Sequence, residues 1–221
     1  VRVLACCLMV LSVPCVAAPE SVSADAARQW VRFTVPLPKE ITISRAVTVP
    51  CAAVSVEFEG APPSGDLVAA EALSGLRSLL GQAAGAPANA GATFRIVLAL
   101  GRQASDSLKS LPNAEQAYSI TPSDNGDALR VDALSPAGLL YAGRTLDQLI
   151  RPKMSADSAR IPLVTVRDWS DMSARGLWGA DCFAHLRWMG DQKLNIAEQI
   201  SDVGVDEQGK PYARIKKGRE P

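Results

Sequence analysis

The sequence has little histidine: one residue, His185, in 221. A single imidazole cannot build a His-rich metal centre, and no H-E-x-x-H helix is present, so a zinc protease is excluded. Surplus charge is missing as well, with 23 Lys+Arg against 23 Asp+Glu. A neutral chain offers no electrostatic footprint for a nucleic-acid backbone or an anionic membrane surface. Long apolar runs are absent too; Val3 to Val13 is too short to cross a bilayer as a helix, which takes roughly 20 residues. Internal repeats and low-complexity tracts are lacking, which excludes a solenoid. What remains is a composition with 48% hydrophobic residues, enough for a real core.

The start of the chain reads as an export signal over residues 1–18. Arg2 precedes the uncharged run Val3 to Val13, and Val16-Ala17-Ala18 supplies small residues for cleavage. The expectation is a chain cut after Ala18 and exported to the periplasm or the exterior, free of the membrane thereafter. Pro14 before Cys15 is a poor fit to lipoprotein processing. Cys6, Cys7 and Cys15 leave with the signal, so Cys51 and Cys182 remain. An oxidising compartment permits a bridge, but nothing in the sequence brings the two together, and the expectation is two separately buried thiols.

Residues 19–36 are polar and alanine-rich at first and read as a weakly ordered leader. Residues 37–165 alternate strand and helix signals. Ile41-Thr42-Ile43 and Val47-Thr48-Val49 read as one or two short strands, and Val54 to Phe58 alternates as an amphipathic strand. Asp66 can cap a helix with Ala69, Leu73, Leu76, Leu79 and Leu80 on one stripe. Thr93 to Leu100 is apolar enough for a central strand covered on both faces. Asn125-Gly126 marks a hairpin between Tyr118-Ser119-Ile120 and Ala128 to Val131. Ser135-Pro136 opens a second helix carrying Leu139, Ala142, Leu146, Leu149 and Ile150. Together these predict an α/β sandwich, one sheet with helices packed on it.

A different pattern occupies residues 166–221. Arg175 to Gly179 reads as a short strand. Asp181 is placed to cap a helix holding Phe183, Leu186 and Met189, and Lys193 to Ile196 leads into another strand. Strand, helix, strand is how a parallel α/β domain opens. A closed (β/α)₈ barrel takes roughly 250 residues, so the expectation is an incomplete barrel start, ending in a polar tail from Gly209 without a core pattern.

Several of these segments resemble the family 20 glycoside hydrolases, the β-N-acetylhexosaminidases. Glu115 to Ile120 is similar to an E-x-Y-x-L strand of that family's non-catalytic domain, and Gly138 to Leu149 to its signature helix. Arg167-Asp168-Trp169, Arg175-Gly176 and Lys193-Leu194-Asn195 resemble the approach, first strand and post-helix turn of the catalytic barrel. The helix motif also has a purely structural reading: a leucine stripe, close approach at Gly143, and hydrogen bonds from Thr145 and Gln148 to nearby backbone.

The resemblance implies an amino-sugar glycoside as the partner and no cofactor. It also implies substrate-assisted hydrolysis, with an Asp orienting the acetamido group and an adjacent Glu as acid. No catalytic residue is nominated, because that Asp-Glu pair has no counterpart here; Asp206-Glu207 reads as a solvated turn. Arg175 is the substrate-binding candidate, expected at the end of the first barrel strand with its planar fork on sugar hydroxyls. The alternative for it is an ion pair with Asp171 or Asp181. Glu198 and Ile200 stand where the family carries histidines, Asp202 falls one position early and Asp181 aligns poorly, which points to a divergent branch. His185 reads as a solvated or satisfied helix residue in preference to a catalytic base.

The chain is thus expected to be the inactive N-terminal part of an exported glycosidase. The rival is a free-standing secreted carbohydrate-binding or interaction domain, and an exposed apolar surface between residues 166 and 202 would separate the two. A secreted protease fragment fails for want of metal ligands or a second histidine.

Overall fold

The computed structural model describes residues 18–60, 64–85, 89, 91–178, 185–198 and 201–215. Residues 1–17 of the segment expected to be an export signal, together with Asp181, Cys182, Phe183 and Ile200, therefore lie outside the described residues. The centre of the fold is a seven-stranded mixed sheet in the order β1-β2-β7-β5-β6-β4-β3. Its strands are β1 (Glu20–Ser21), β2 (Glu40–Pro50), β3 (Val54–Phe58), β4 (Phe94–Leu100), β5 (Tyr118–Pro122), β6 (Ala128–Ala133) and β7 (Ser158–Asp168). β3, β4 and β6 run parallel, and the remaining pairs are antiparallel.

The segment expected to be a leader is part of this fold. β1 pairs with β2, and α1 (Ala24–Val31) follows, with the Ser23 side chain accepting a hydrogen bond from the Ala26 amide. One tryptophan decides the matter. Trp30 is fully buried and its indole N–H donates to the Leu149 carbonyl at 2.6 Å. A polar, alanine-rich stretch carries no periodic signal strong enough to reveal that single anchor.

The one or two short strands expected before Pro50 form one strand of 11 residues, paired with β7 from Glu40↔Arg167 to Pro50↔Ser158. A bulge between Ile43 and Arg45 absorbs Ser44 and keeps the ladder continuous. At the far edge, β3 alternates in sequence, yet Ser55 is as buried as its apolar neighbours. Arg77, buried on α2, donates from Nε and Nη2 to the Val56 carbonyl. β4 lies second from that edge, and its two faces differ: Phe94, Ile96 and Leu98 are buried on one, while the other passes from exposed Arg95 through half-buried Val97 to buried Ala99. The cover expected on both faces is therefore met on one face and only toward the C-terminal end of the other.

α2 (Leu67–Leu79) and α3 (Pro136–Ile150) lie side by side on the sheet. Asp66 caps α2 by accepting from the Val68 and Ala69 amides, both at 2.9 Å. Ser135 caps α3 by accepting from the Ala137 amide, with Pro136 in the first turn. The expected α3 stripe is wholly buried. The close approach on α3 falls at Gly138 rather than Gly143. A Cβ on Gly138 would collide with the Ala117 carbonyl and stand 2.9 Å from the Ala133 Cβ, while one on Gly143 would meet nothing nearer than 3.7 Å.

Beyond β7 come β8 (Gly176–Trp178), α4 (Leu186–Asp191) and β9 (Ile196–Glu198), with β8 and β9 paired in parallel. A Cβ on Gly176 would collide with the Ile196 carbonyl, which accounts for the glycine after Arg175. α4 begins at Leu186 with the exposed His185 at its N-terminal boundary. Of its expected stripe, Met189 is buried and Leu186 is exposed. The tail from Gly209, polar and without a core pattern, contributes β11 (Pro211–Ile215), which pairs with β10 (Ser201–Val205) in an exposed hairpin. Main-chain pairing and the Asp206 turn support that hairpin without a buried apolar stripe, so a search for apolar periodicity passes over it.

Candidate functional site

The motifs that carry the resemblance converge where β8-α4-β9 meets the sheet. β7 runs through Asp168, so Asp168 belongs to the sheet and pairs with Tyr118 on β5. The Tyr118 hydroxyl donates to Asp168 Oδ2 at 2.8 Å. With its one proton given there, it accepts from Thr145 Oγ1 on α3 at 2.6 Å and from Lys193 Nζ at 2.8 Å. Lys193 also reaches Asp168 Oδ2 at 3.2 Å, and the Lys39 amide donates to Asp168 Oδ1 at 3.1 Å. Thr145 therefore bonds a distant phenol and not the nearby backbone expected of it.

Burial sets the electrostatics of this cluster. It holds the Tyr118 phenol well above the ordinary tyrosine range, with the Asp168 charge pushing the same way. It also drives the Lys193 ammonium below the ordinary lysine value; Asp168 opposes that shift in part, and the Arg175 charge adds to it. A buried ammonium is kept here because a carboxylate and a phenol oxygen receive it.

Arg175 stands immediately before β8, at the strand's N-terminal end, not at the C-terminal end where barrel sites form. Its Nη1 donates to Gln116 Oε1 and to the Met172 carbonyl, both at 2.7 Å, and its Nη2 to the Lys193 carbonyl at 2.8 Å. The guanidinium lies 5.4 Å from the centre of the Tyr141 ring. Of the two ion-pair partners weighed for it, Asp171 instead pairs with Lys39 at 2.6 Å. A cavity of about 170 Å³ opens between these groups, lined among others by Arg175, Tyr141, Trp169 and the Lys39–Asp171 pair.

The rest of the signature helix serves the same junction. Arg144 pairs with Glu71 of α2 at 3.0 Å and lies 3.6 Å from Asp191 of α4. Gln148 brackets Val35, accepting from its amide and donating to its carbonyl, and also donates to the Asp191 carbonyl. From the other segment, Asn195 Oδ1 accepts from the Arg175 amide and Nδ2 donates to the Ser173 carbonyl. A larger cavity, about 560 Å³, lies beside the start of α2. Its two carboxylates are already used, Asp66 in the cap and Glu71 with Arg144.

The remaining candidates are separate from this cluster. Asp206 Oδ1 accepts from the Gln208 and Lys210 amides, so Asp206-Glu207 forms the exposed turn between β10 and β11. Cys51 is a free, buried thiol whose pKa is raised by burial and by Asp157. Among the described residues no group of three or more His, Cys, Asp or Glu is placed to hold a metal ion, and no helix is long and apolar enough to cross a membrane. Sequence reading singled out Arg175 and missed Asp168 and Lys193 as partners. Their common presence in motifs was the one signal available.

Comparison with known proteins bears on the sheet region. Residues 32–169, more than half of the chain, match the family described as glycosyl hydrolase family 20, domain 2. The chain belongs to that family. Its fold is similar to that of an exo-β-N-acetylglucosaminidase from Vibrio harveyi, solved with N-acetylglucosamine, at 18% identity and a TM-score of 0.53. That similarity covers 75% of this chain and 25% of the Vibrio one. The chitobiase of Flavobacterium johnsoniae gives 17% identity and a TM-score of 0.52 over 74% of this chain and 26% of its own. The chain thus spans about a quarter of the length of these solved structures. No curated protein matches it significantly.

Proposed function

We propose that this chain forms the N-terminal part of an exported glycoside hydrolase acting on β-linked N-acetylhexosamine sugars. In this reading the sheet with α1 to α3 is its accessory domain and β8-α4-β9 opens a (β/α)₈ barrel. The observation that carries the reading is the apolar surface left open on the second part. Trp178 is 78% exposed and Trp188 51%, and Leu177, Leu186 and Ile196 are exposed beside them. Further β/α units of a barrel would bury such a face. The parallel pairing of β8 with β9 agrees with a barrel start, the family match supports a glycoside hydrolase, and the N-acetylglucosamine bound to the Vibrio harveyi enzyme supports an amino-sugar substrate.

Within this reading the polypeptide alone does not hydrolyse amino-sugar glycosides. Substrate-assisted chemistry needs an Asp to orient the acetamido group and a Glu to protonate the leaving oxygen, and Asp206-Glu207 is committed to its turn. Arg175 acts chiefly as the fork of the junction, with three of its five N–H groups already given to protein acceptors. The sugar contact expected of it falls to the remaining N–H groups.

The test is release of aryl leaving group from an aryl β-N-acetylglucosaminide by purified residues 19–221. A rate at the buffer level is expected, and a rate well above it overturns the reading. The exposed indoles of Trp178 and Trp188 favour one rival, a free-standing carbohydrate-binding module. Titration with chitooligosaccharide separates the two: the module predicts quenching of those indoles, and the barrel start predicts none.

A further inference from the structure

We infer that Lys193 is a positioning residue that seats β8-α4-β9 on the sheet, carrying a cation into the pocket formed by Tyr118, Thr145 and Asp168. The inference stands apart from the enzyme reading and concerns only how the two parts of this chain are held in register.

Three observations carry it. First, Lys193 has φ of +59°, a left-handed conformation that glycine adopts freely and a long side chain does not. If the turn after α4 were all that mattered, glycine would serve better. The side chain must therefore supply something the turn does not. Second, Lys193–Asp168 is an ion pair whose side chains are only 4% and 11% exposed, whereas every other ion pair among the described residues has at least one partner with a quarter or more of its side chain in water. Third, the same residue turns its carbonyl to Arg175 Nη2, and the Arg175 carbonyl accepts from the Asn195 and Ile196 amides where β9 begins.

The physical consequence is specificity of docking. The remaining contacts across the junction include the amide side chains of Asn113, Gln116 and Gln148 on the Ser170, Ser173 and Asp191 carbonyls. Hydrogen bonds of this kind can re-form after a small slide. A buried carboxylate that has lost its cation cannot be accommodated cheaply, so Asp168 accepts one register and rejects its neighbours. Lys193 then fixes the position of Arg175 through the backbone.

Amide hydrogen exchange on the full chain tests this. Lys193→Met is expected to speed exchange in β8 and β9 by about tenfold or more, while β4 to β6 change by less than about threefold, because the undocked unit lets water reach Asp168. Lys193→Gly relieves the backbone conformation yet is expected to lose protection equally. Lys193→Met combined with Asp168→Asn removes the stranded charge, so the urea midpoint returns to near the parent value while β8 and β9 stay unprotected. Parent-like protection of β8 and β9 in the glycine or the double variant overturns the inference. So does an equal rise of exchange in β4 to β6. Where Lys193→Met does not fold, the double variant decides.

Discussion

Between Ile43 and Val166 the strands and helices bury most of their bulky apolar side chains, Leu67 and Val68 at the start of α2 being exposed, and Leu98, Leu129, Leu139, Leu146 and Ile161 show no accessible surface. From Gly176 onward the pattern reverses. Trp178, Leu186, Trp188, Val203 and Val205 are exposed, and Met189 is the one buried apolar side chain among the described residues there. The two regions are also held by different forces. The sheet region rests on contact between apolar faces, α2 against α3 and α3 against the sheet. The β8-α4-β9 unit is fastened to it by directed polar contacts: Lys193 with Asp168, Arg175 with Gln116, and Gln148 with the Asp191 carbonyl. Polar attachment, with Met189 as the one buried apolar side chain among the described residues of the unit, leaves most of the apolar surface available for the further barrel units proposed above.

The contrast can be broken most severely inside the sheet region. Leu146 is fully buried in mid-stripe on α3, so Leu146→Ala should lower stability by about 2–5 kcal/mol. A urea midpoint shift worth less than about 1 kcal/mol would mean that the helix face is not the core described.

Gly138→Ala should follow, at about 1–3 kcal/mol, because its Cβ collides with the rigid Ala117 carbonyl. Gly143→Ala meets only ordinary contacts and should be neutral or stabilising on helix propensity alone. Equal costs for the two substitutions, read from urea midpoints, would remove the distinction drawn between them.

The junction should respond at an intermediate level and with a pH signature. Tyr118→Phe deletes a hydroxyl bonded to Thr145, Asp168 and Lys193, and should cost about 1–3 kcal/mol near neutral pH. The folded phenol titrates above the ordinary tyrosine value of 10.0, so its contribution is complete below that pH and is lost as pH rises beyond it. The lowered Lys193 works in the opposite sense: its contribution is complete above the ordinary lysine value of 10.5 and declines as pH falls toward its folded value. Lys193 is present in both proteins and its part largely cancels in their difference. The advantage of the parent protein over Tyr118→Phe should therefore shrink above about pH 10. Parallel curves from pH 8 to 11 would show that the phenol titrates normally.

The smallest effect belongs to the second region. Leu186→Ser should change the stability of the isolated chain by less than about 1 kcal/mol, since about half of this residue is already in water. A loss of more than about 1 kcal/mol in thermal or urea unfolding would show that the face is covered, for instance by self-association.

Local chemistry in the sequence determined much of this molecule. Ser135-Pro136 started α3, Asp66 capped α2, Asn125-Gly126 turned β5 into β6, and the leucine stripes declared which helix faces would be buried. Each signal depends on neighbours a few positions apart, which makes it readable from one sequence. The tertiary structure alone decided the rest. It set β4 beside the edge strand, tied α1 down by Trp30, joined Ile41 and Val49 into one bulged strand, and placed Arg175 ahead of β8. It also gathered Tyr118, Thr145, Asp168 and Lys193 into one buried cluster, with partners separated by 25 to 75 positions. A buried polar group finds its partner wherever the fold delivers one, and that meeting leaves no periodic trace in the chain.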